Sequence, residues 1–141
     1  MPKPQFPPRS DGKDIETGSQ FQPKFDEDGL IPAIVTDATS KDVLMFAWMN
    51  HEALAASIET GDAHFWSRSR ARLWKKGEES GNVLRITEMF TDCDQDVVEV
   101  RVHVRGNGVA CHTGARSCFY RRLTAERDRE GVVGLKRVEG S

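Results

Sequence analysis

The sequence is poor in features that would place the chain outside the cytosol. It has only three cysteines, and an odd number without a secretion signal argues against a disulfide framework. No apolar run approaches the roughly 20 residues that a membrane helix needs, and the N-terminus lacks the apolar core of a signal peptide. The net charge is −2, without the basic excess of most nucleic-acid binders. We therefore expect a cytoplasmic protein with reduced thiols that binds neither membranes nor nucleic acids.

The length and composition predict one domain with two flanking segments. The chain has 141 residues, of which 38% are hydrophobic and 30% charged, which is enough for one core but not for two. Five of the six prolines lie in residues 1–25, which have almost no apolar period, so we expect an irregular N-terminal arm there. The domain itself should span residues 26–124, and residues 125–141 should form a charged C-terminal tail.

The apolar pattern predicts a single α+β domain, rich in antiparallel strands and with few helices. Valines at positions 98, 100, 102 and 104 alternate with charged residues or histidine, which is the period of a half-buried strand. Asn50 and Gly61 are suitable caps for one helix near residues 51–60. Further strands are expected at residues 30–35, 43–48, 63–67 and 83–90, and a last strand should begin near residue 118. Residues 68–82 are predicted to be a basic loop.

Cys93 lies within an acidic run, between Asp92, Asp94 and Asp96. Thiolates select zinc, whereas carboxylates select magnesium, calcium or manganese, so this run could serve two kinds of metal site. In an extended segment the three acids would point to one side and Cys93 to the other. In a tight loop the acids would converge, although the glycine and the distal glutamate of an EF-hand are missing. A solvated acidic turn is the interpretation without a metal.

Cys111 and Cys118 add two further thiol ligands to this candidate site. They lie beside polar or glycine residues rather than within aliphatic runs, which favours zinc ligation over burial as small apolar residues. Three thiolates leave one tetrahedral position open, which is typical of a catalytic zinc site. His112 follows Cys111 and could close a structural site as the fourth ligand, or act as a general acid or base beside an open one.

A basic stretch in the middle of the chain is the third candidate element. Guanidinium, ammonium and glycine-exposed N–H groups are suited to phosphate oxygens. The order of residues is not that of a P-loop, and by composition alone a solvated loop balanced by Glu78 and Glu79 is slightly favoured. The stretch contains Arg68, Arg70, Arg72, Lys75 and Lys76, followed by Ser80, Gly81 and Asn82.

Several spaced motifs occur in order over about residues 30–123. They are Phe65-Trp66-Ser67-Arg68-Ser69-Arg70, Leu73-Trp74, Lys76-Gly77 with Ser80-Gly81-Asn82, Asp92-Cys93-Asp94-Gln95-Asp96, and Cys111-His112-Thr113-Gly114 with Ser117-Cys118-Phe119. Together these motifs resemble the phosphoribosyl-AMP cyclohydrolase family, which opens the adenine ring of phosphoribosyl-AMP in histidine biosynthesis. The sequence departs from the family pattern at Glu79, where threonine is usual.

The resemblance implies a zinc site shared within an intertwined homodimer. Cys93 would come from one subunit, and Cys111 and Cys118 from the other. The resemblance also implies magnesium at three aspartates of the acidic run, Asp92, Asp94 and Asp96. The substrate would be a small nucleotide, and the metals would be the cofactors.

The expected reaction adds water to C6 of the purine and breaks the N1–C6 bond. Zinc would activate the water, and His112 would move protons. The basic stretch would hold the two phosphoribosyl ends. A zinc nucleobase deaminase is the alternative enzyme, but the chain has no C-x-x-C pair. A zinc-stabilised binding module is the non-enzymatic alternative, although it would need four clear protein ligands.

Overall fold

The computed structural model describes residues 2–138 of the chain. These residues form two helices and eight strands. In chain order they are α1 (Gly12–Thr17), β1 (Ile31–Asp37), β2 (Val43–Met49), α2 (His51–Thr60), β3 (His64–Ser67), β4 (Arg72–Lys75), β5 (Leu84–Thr91), β6 (Val98–Val104), β7 (Arg121–Arg127) and β8 (Val133–Arg137). No helix within the described range is long and apolar enough to cross a bilayer.

A four-stranded sheet with the order β2-β1-β6-β5 is the centre of the fold. Strand β1 pairs antiparallel with β2, and β5 pairs antiparallel with β6. The central strands β1 and β6 run parallel to each other. The two hairpins β3–β4 and β7–β8 are separate antiparallel pairs. The prediction of a single β-rich domain with mostly antiparallel strands and few helices is therefore confirmed.

The core lies on one face of the central sheet, beneath α2. On β6, Val98, Val100 and Val102 are buried, whereas His103 between the valines is exposed, as the alternating sequence predicts. Leu54 of α2 joins the same buried cluster. Full burial of one such side chain stabilises the fold by about 1.5–3 kcal/mol.

The predicted helix caps of α2 are confirmed. The Asn50 side chain accepts a hydrogen bond of 2.9 Å from the backbone N–H of Ala53. At the other end, Gly61 adopts φ 78°, in the left-handed region that favours glycine, and its N–H bonds to the carbonyl of Ser57 at 2.9 Å. These two contacts fix where the chain leaves β2 and enters β3.

Three segments differ from the sequence-based expectation. Within the stretch expected to be a loop, residues 72–75 form β4, because Leu73 and Trp74 pair with Trp66 and Phe65 of β3. The N-terminal arm contains the short helix α1. The charged tail forms most of the β7–β8 hairpin, whose exposed strands show no one-sided apolar period because neither of their faces is buried.

Candidate active site

The acidic loop, residues 92–96, connects β5 to β6 and is a tight turn rather than an extended segment. Gln95 has φ 54°, and its N–H bonds to the carbonyl of Asp92 at 3.1 Å. The ligand atoms of Asp92, Cys93 and Asp94 lie within 4.8 Å of one another, and all three residues are exposed. The thiol and the carboxylates therefore converge, which corrects the expectation for an extended segment that they would point to opposite sides.

Asp96 belongs to the same concentration of negative charge. Its backbone N–H bonds to Oδ1 of Asp92 at 3.1 Å. A hydrogen bond with the Asp92 side chain, then partial burial and repulsion by Asp92 and Asp94, raise the pKa of its carboxyl. Neighbouring carboxylates resist joint ionisation, and a bound divalent cation relieves that repulsion. The donor set of the acidic loop therefore fits a cation.

The cysteine loop, residues 111–118, holds the other two thiols close together. Cys111 is buried, and its Sγ lies 3.0 Å from Oγ1 of Thr113. Burial opposes ionisation of Cys111, but hydrogen bonds with Thr113 and Cys118 and the charge of Lys76 lower its pKa overall. Partial burial of the Cys118 thiol, together with its hydrogen bond to Cys111, raises its pKa to about 11. The two thiols are therefore coupled, and the first ionisation belongs to the pair.

The cysteine loop is attached to the start of β2 and to the turn between β1 and β2. The N–H of Cys118 donates to the carbonyl of Leu44 at 2.7 Å, and the Ser117 hydroxyl donates to the carbonyl of Val43 at 2.7 Å. Arg116 donates to Oδ2 of Asp42 at 3.0 Å and to Oγ of Ser40 at 2.9 Å. These contacts fix the end of the loop that carries Cys118.

The two loops lie at opposite edges of the central sheet. Cys118 bonds to β2, and Cys93 follows β5, and these are the two edge strands. Three strand spacings separate the edges by about 14 Å, whereas two sulfurs bound to one zinc lie within about 5 Å of each other. Across residues 2–138, no cluster of metal-ligating side chains combines Cys93 with Cys111 and Cys118.

A cleft of about 610 Å³ brings His112 together with the basic stretch. We call it the cationic cleft. Of the residues predicted to contact substrate, five line it: Arg70, Arg72, Lys76, Ser80 and His112. Arg68 is adjacent, because its guanidinium lies 4.9 Å from the centre of the Trp48 ring, and Trp48 is a wall of the cleft.

Gly81 and Asn82, also predicted to contact phosphate, are not among the lining residues of the cationic cleft. The Asn82 side chain instead accepts a hydrogen bond of 2.8 Å from the N–H of Asn107. A Cβ at Gly106 would lie 2.3 Å from Oδ1 of Asn82, so this turn can approach so closely only with glycine. Within one chain, Asn82 therefore holds the turn after β6.

Sequence reasoning missed the aromatic walls of the cationic cleft. Trp48, Trp66 and Trp74 all line it, and each is half-buried. They are the only tryptophans of the chain, and flat rings beside cations suit a purine nucleotide. The available signal was the scarcity of tryptophan and its position beside the basic stretch.

A second cleft, of about 600 Å³, lies between the N-terminal arm and β5. Cys93 and Asp92 form one side of it, while Ile15, Phe21 and Phe90 form apolar walls. Among the described residues, no lysine or arginine lines this second cleft. An anionic substrate is therefore matched by the charge of the cationic cleft and not by that of the second cleft.

Comparisons with known proteins identify the family of the chain. The phosphoribosyl-AMP cyclohydrolase family profile matches residues 45–120. A phosphoribosyl-AMP cyclohydrolase of Brucella anthropi is 57% identical over 132 residues, which cover 94% of this chain and 91% of that protein. The chain belongs to the phosphoribosyl-AMP cyclohydrolase family. The resemblance of the spaced motifs is thereby confirmed.

Two further relatives carry the same name, phosphoribosyl-AMP cyclohydrolase. The protein of Brucella abortus strain S19 is 58% identical over 116 residues, covering 82% of this chain and 84% of its own length. That of Chelativorans sp. strain BNC1 is 56% identical over 120 residues, covering 85% and 86%. The segment matched by the phosphoribosyl-AMP cyclohydrolase profile contains both ligand loops and the cationic cleft, whereas the N-terminal arm and the whole β7–β8 hairpin lie outside it.

Proposed function

We propose that the chain is a cytoplasmic phosphoribosyl-AMP cyclohydrolase. It would hydrolyse the N1–C6 bond of the adenine ring in 1-(5-phosphoribosyl)-AMP. The product would be the phosphoribosyl-formimino aminoimidazole carboxamide ribotide of histidine biosynthesis. The observation that carries the proposal is 57% identity, over 94% of the chain, to a protein of that name.

The cationic cleft supports binding of a nucleotide with phosphate groups at both ends. Arg70, Arg72, Lys75 and Lys76 supply positive charge to the lining of the cleft, where they outnumber Glu78 and Glu79. The tryptophan rings supply flat apolar surface for a purine, and stacking on one such ring contributes about 1–3 kcal/mol to binding. The guanidinium of Arg68 over Trp48 adds charge at the same wall.

We assign the proton transfers to His112. Hydrolysis forms a C6–O bond and breaks the N1–C6 bond, so a proton must leave the attacking water and a proton must reach N1. His112 is exposed at the cationic cleft, where an imidazole can reach a bound ring. Its neighbour Cys111 places this imidazole beside the thiol pair of the cysteine loop.

The thiols of the two loops fit a zinc ion shared between the subunits of a homodimer. Cys111 and Cys118 would hold it on one side, and Cys93 of the partner subunit would complete the set. This arrangement is supported by the position of the two loops at opposite edges of one sheet. When bound, zinc would supply Lewis-acid activation of water.

The carboxylates of the acidic loop fit magnesium, because this cation prefers oxygen ligands. Asp92, Asp94 and Asp96 would hold it. The closeness of these carboxyl groups supports this assignment: a hydrogen bond with the Asp92 side chain, and then partial burial and repulsion by Asp92 and Asp94, raise the pKa of Asp96.

A single assay tests the proposed activity. Purified full-length protein is mixed with phosphoribosyl-AMP, and ring opening is followed by ultraviolet absorbance, with and without a chelator. We expect ring opening that the chelator abolishes and that added zinc restores. Release of ammonia without ring opening would indicate a deaminase and overturn the proposal.

A further inference from the structure

Gln95 is the buried member of the otherwise exposed acidic loop. It is 5% exposed, whereas Asp92, Cys93, Asp94 and Asp96 are all exposed. Its φ of 54° is a conformation that residues other than glycine rarely adopt. Something other than local preference must therefore hold the chain in this conformation at Gln95.

The contacts of Gln95 outside its own loop are to the N-terminal arm. Its Oε1 accepts a hydrogen bond of 2.7 Å from the N–H of Gln22. Its Nε2 donates to the carbonyl of Ile15 at 3.0 Å. Its own carbonyl accepts from the N–H of Lys24 at 2.7 Å. Three hydrogen bonds thus join one loop residue to a segment more than 70 positions earlier.

Arg9 adds a fourth connection between the arm and the loop. Its Nη1 donates to the carbonyl of Asp94 at 2.9 Å and to the carbonyl of Gln22 at 3.0 Å. The side chain of Gln22 in turn accepts from the N–H and the hydroxyl of Ser10, both at 2.8 Å. Arg9 therefore bonds to the backbone of a metal-ligating residue and to the arm at once.

The arm is itself attached to the domain by apolar contacts. Phe6, Phe21 and Phe25 pack against the core cluster, and Ile15 is buried. The rings of Phe6 and His51 lie 4.9 Å apart, edge to face. An element anchored in this way can constrain the loop that it touches.

We propose that residues 9–24 of the N-terminal arm position the acidic loop, through Arg9 and Gln95, so that the ligand groups of Asp92, Cys93 and Asp94 converge. This inference rests on the proposed metal-dependent function. The hydrogen bonds from the arm hold Gln95 at its φ of 54° and bind the carbonyl of Asp94, so they fix the backbone that carries the three ligand groups. Ligands held by such contacts bind metal more tightly than ligands that must be ordered on binding.

Arg9 offers the sharper test, because it lies near the surface and its removal leaves the core intact. In the full-length protein, Arg9→Ala is compared with Arg9→Lys and with Lys13→Ala. Lys13→Ala removes the same charge from the same arm, and the Lys13 side chain is exposed and makes no hydrogen bond or ion pair to the loop within residues 2–138. Zinc affinity is measured by competition with a chromogenic chelator.

We expect Arg9→Ala to weaken zinc binding about tenfold, which is the effect of losing one hydrogen bond with a charged donor. Lys13→Ala should bind zinc like the unmodified chain, and Arg9→Lys should recover part of the affinity. Gln95→Ala should weaken binding further, because it removes two side-chain bonds to the arm. If Gln95→Ala does not fold, the zinc affinities of the Arg9 variants still test whether the arm positions the loop. Unchanged affinity in Arg9→Ala would overturn the proposal.

Amide hydrogen exchange of the metal-free protein separates this inference from the proposed function. We expect residues 92–96 to exchange faster in Arg9→Ala than in the unmodified chain or in Lys13→Ala. If the unmodified chain binds no zinc, the proposed function fails, and exchange alone then decides the role of the arm. Equal exchange in all three proteins would refute that role.

Discussion

The acidic loop and the cysteine loop differ in what holds them. The acidic loop is held by a segment from the far N-terminal end of the chain, through Gln95 and Arg9. The cysteine loop is held by the β1–β2 turn, through Arg116, and by the start of β2, through the backbone of Leu44. Each loop presents its ligands without help from the other. The difference teaches that one chain carries two separately supported groups of candidate metal ligands.

The largest expected effect is the loss of activity when one thiol is removed from either loop, and its recovery when variants of the two loops are mixed. The proposed shared site predicts that Cys93→Ser and Cys118→Ser are each inactive, because each substitution would break both zinc sites of the proposed homodimer. After subunit exchange, a mixture of the two should regain about a quarter of full activity, because half of the dimers are mixed and each has one intact site. Recovery is measured by the ring-opening assay.

A matched control mixes two variants that each lack one thiol of the cysteine loop. Cys111→Ser mixed with Cys118→Ser should stay inactive, because every possible site then lacks one thiol of the cysteine loop. Recovery in this control, or no recovery of the Cys93→Ser mixture after exchange has been confirmed by mass spectrometry, would contradict sharing between subunits.

The second effect is loss of turnover without loss of metal. His112→Ala should lower kcat by about 10²–10⁴-fold, which is the usual contribution of a general acid or base. Zinc content, measured by atomic emission, should stay the same. His103→Ala is the control, because His103 is exposed on β6 and does not line the cationic cleft. If zinc is lost with His112, this residue is a ligand and the proton-transfer role is wrong.

The sequence predicted the elements whose signal is local. The alternating valines of β6 and the caps Asn50 and Gly61 needed only neighbouring residues, and the structure bears them out. The β4 strand was missed because its evidence is the pairing of Trp74 with Phe65, and a pairing partner is not visible in a four-residue segment. The short helix α1 and the hydrogen bonds of the arm to Gln95 were missed for a related reason. The proline content of the arm predicts irregularity, but its partner Gln95 is more than 70 positions away.

The site shows the same division between local and distant information. The acidic run and the Cys-His pair are recognised from adjacent residues in the sequence. The cationic cleft instead depends on bringing residues 48, 66, 74 and 112 together in space. Arg116, between the two cysteines of its loop, also gave no sequence signal. Its importance follows only from its contacts with Asp42 and Ser40 on another turn.

The smallest expected effect comes from loosening the cysteine loop at Arg116. Arg116→Ala removes the bonds to Asp42 and Ser40, and we expect a loss of about 1 kcal/mol in the free energy of unfolding, because the pair with Asp42 is largely solvent-exposed. Urea denaturation of the metal-free protein measures it. Arg122→Ala is the control, since its exposed side chain has no hydrogen bond or ion pair among the described residues.

The pH dependence of this loss distinguishes electrostatic support from simple packing. Backbone hydrogen bonding from Ser40 outweighs the effect of burial and, with the charge of Arg116, lowers the pKa of Asp37. A lowered carboxyl pKa contributes stability above the unfolded value of about 3.9 and loses it as pH falls through the folded value. The difference between the unmodified chain and Arg116→Ala should therefore be constant near neutral pH and shrink below about pH 4. A difference that persists in acid would mean that Arg116 supports the cysteine loop mainly through its hydrogen bond to the neutral Ser40 hydroxyl, and not through its pairs with carboxylates.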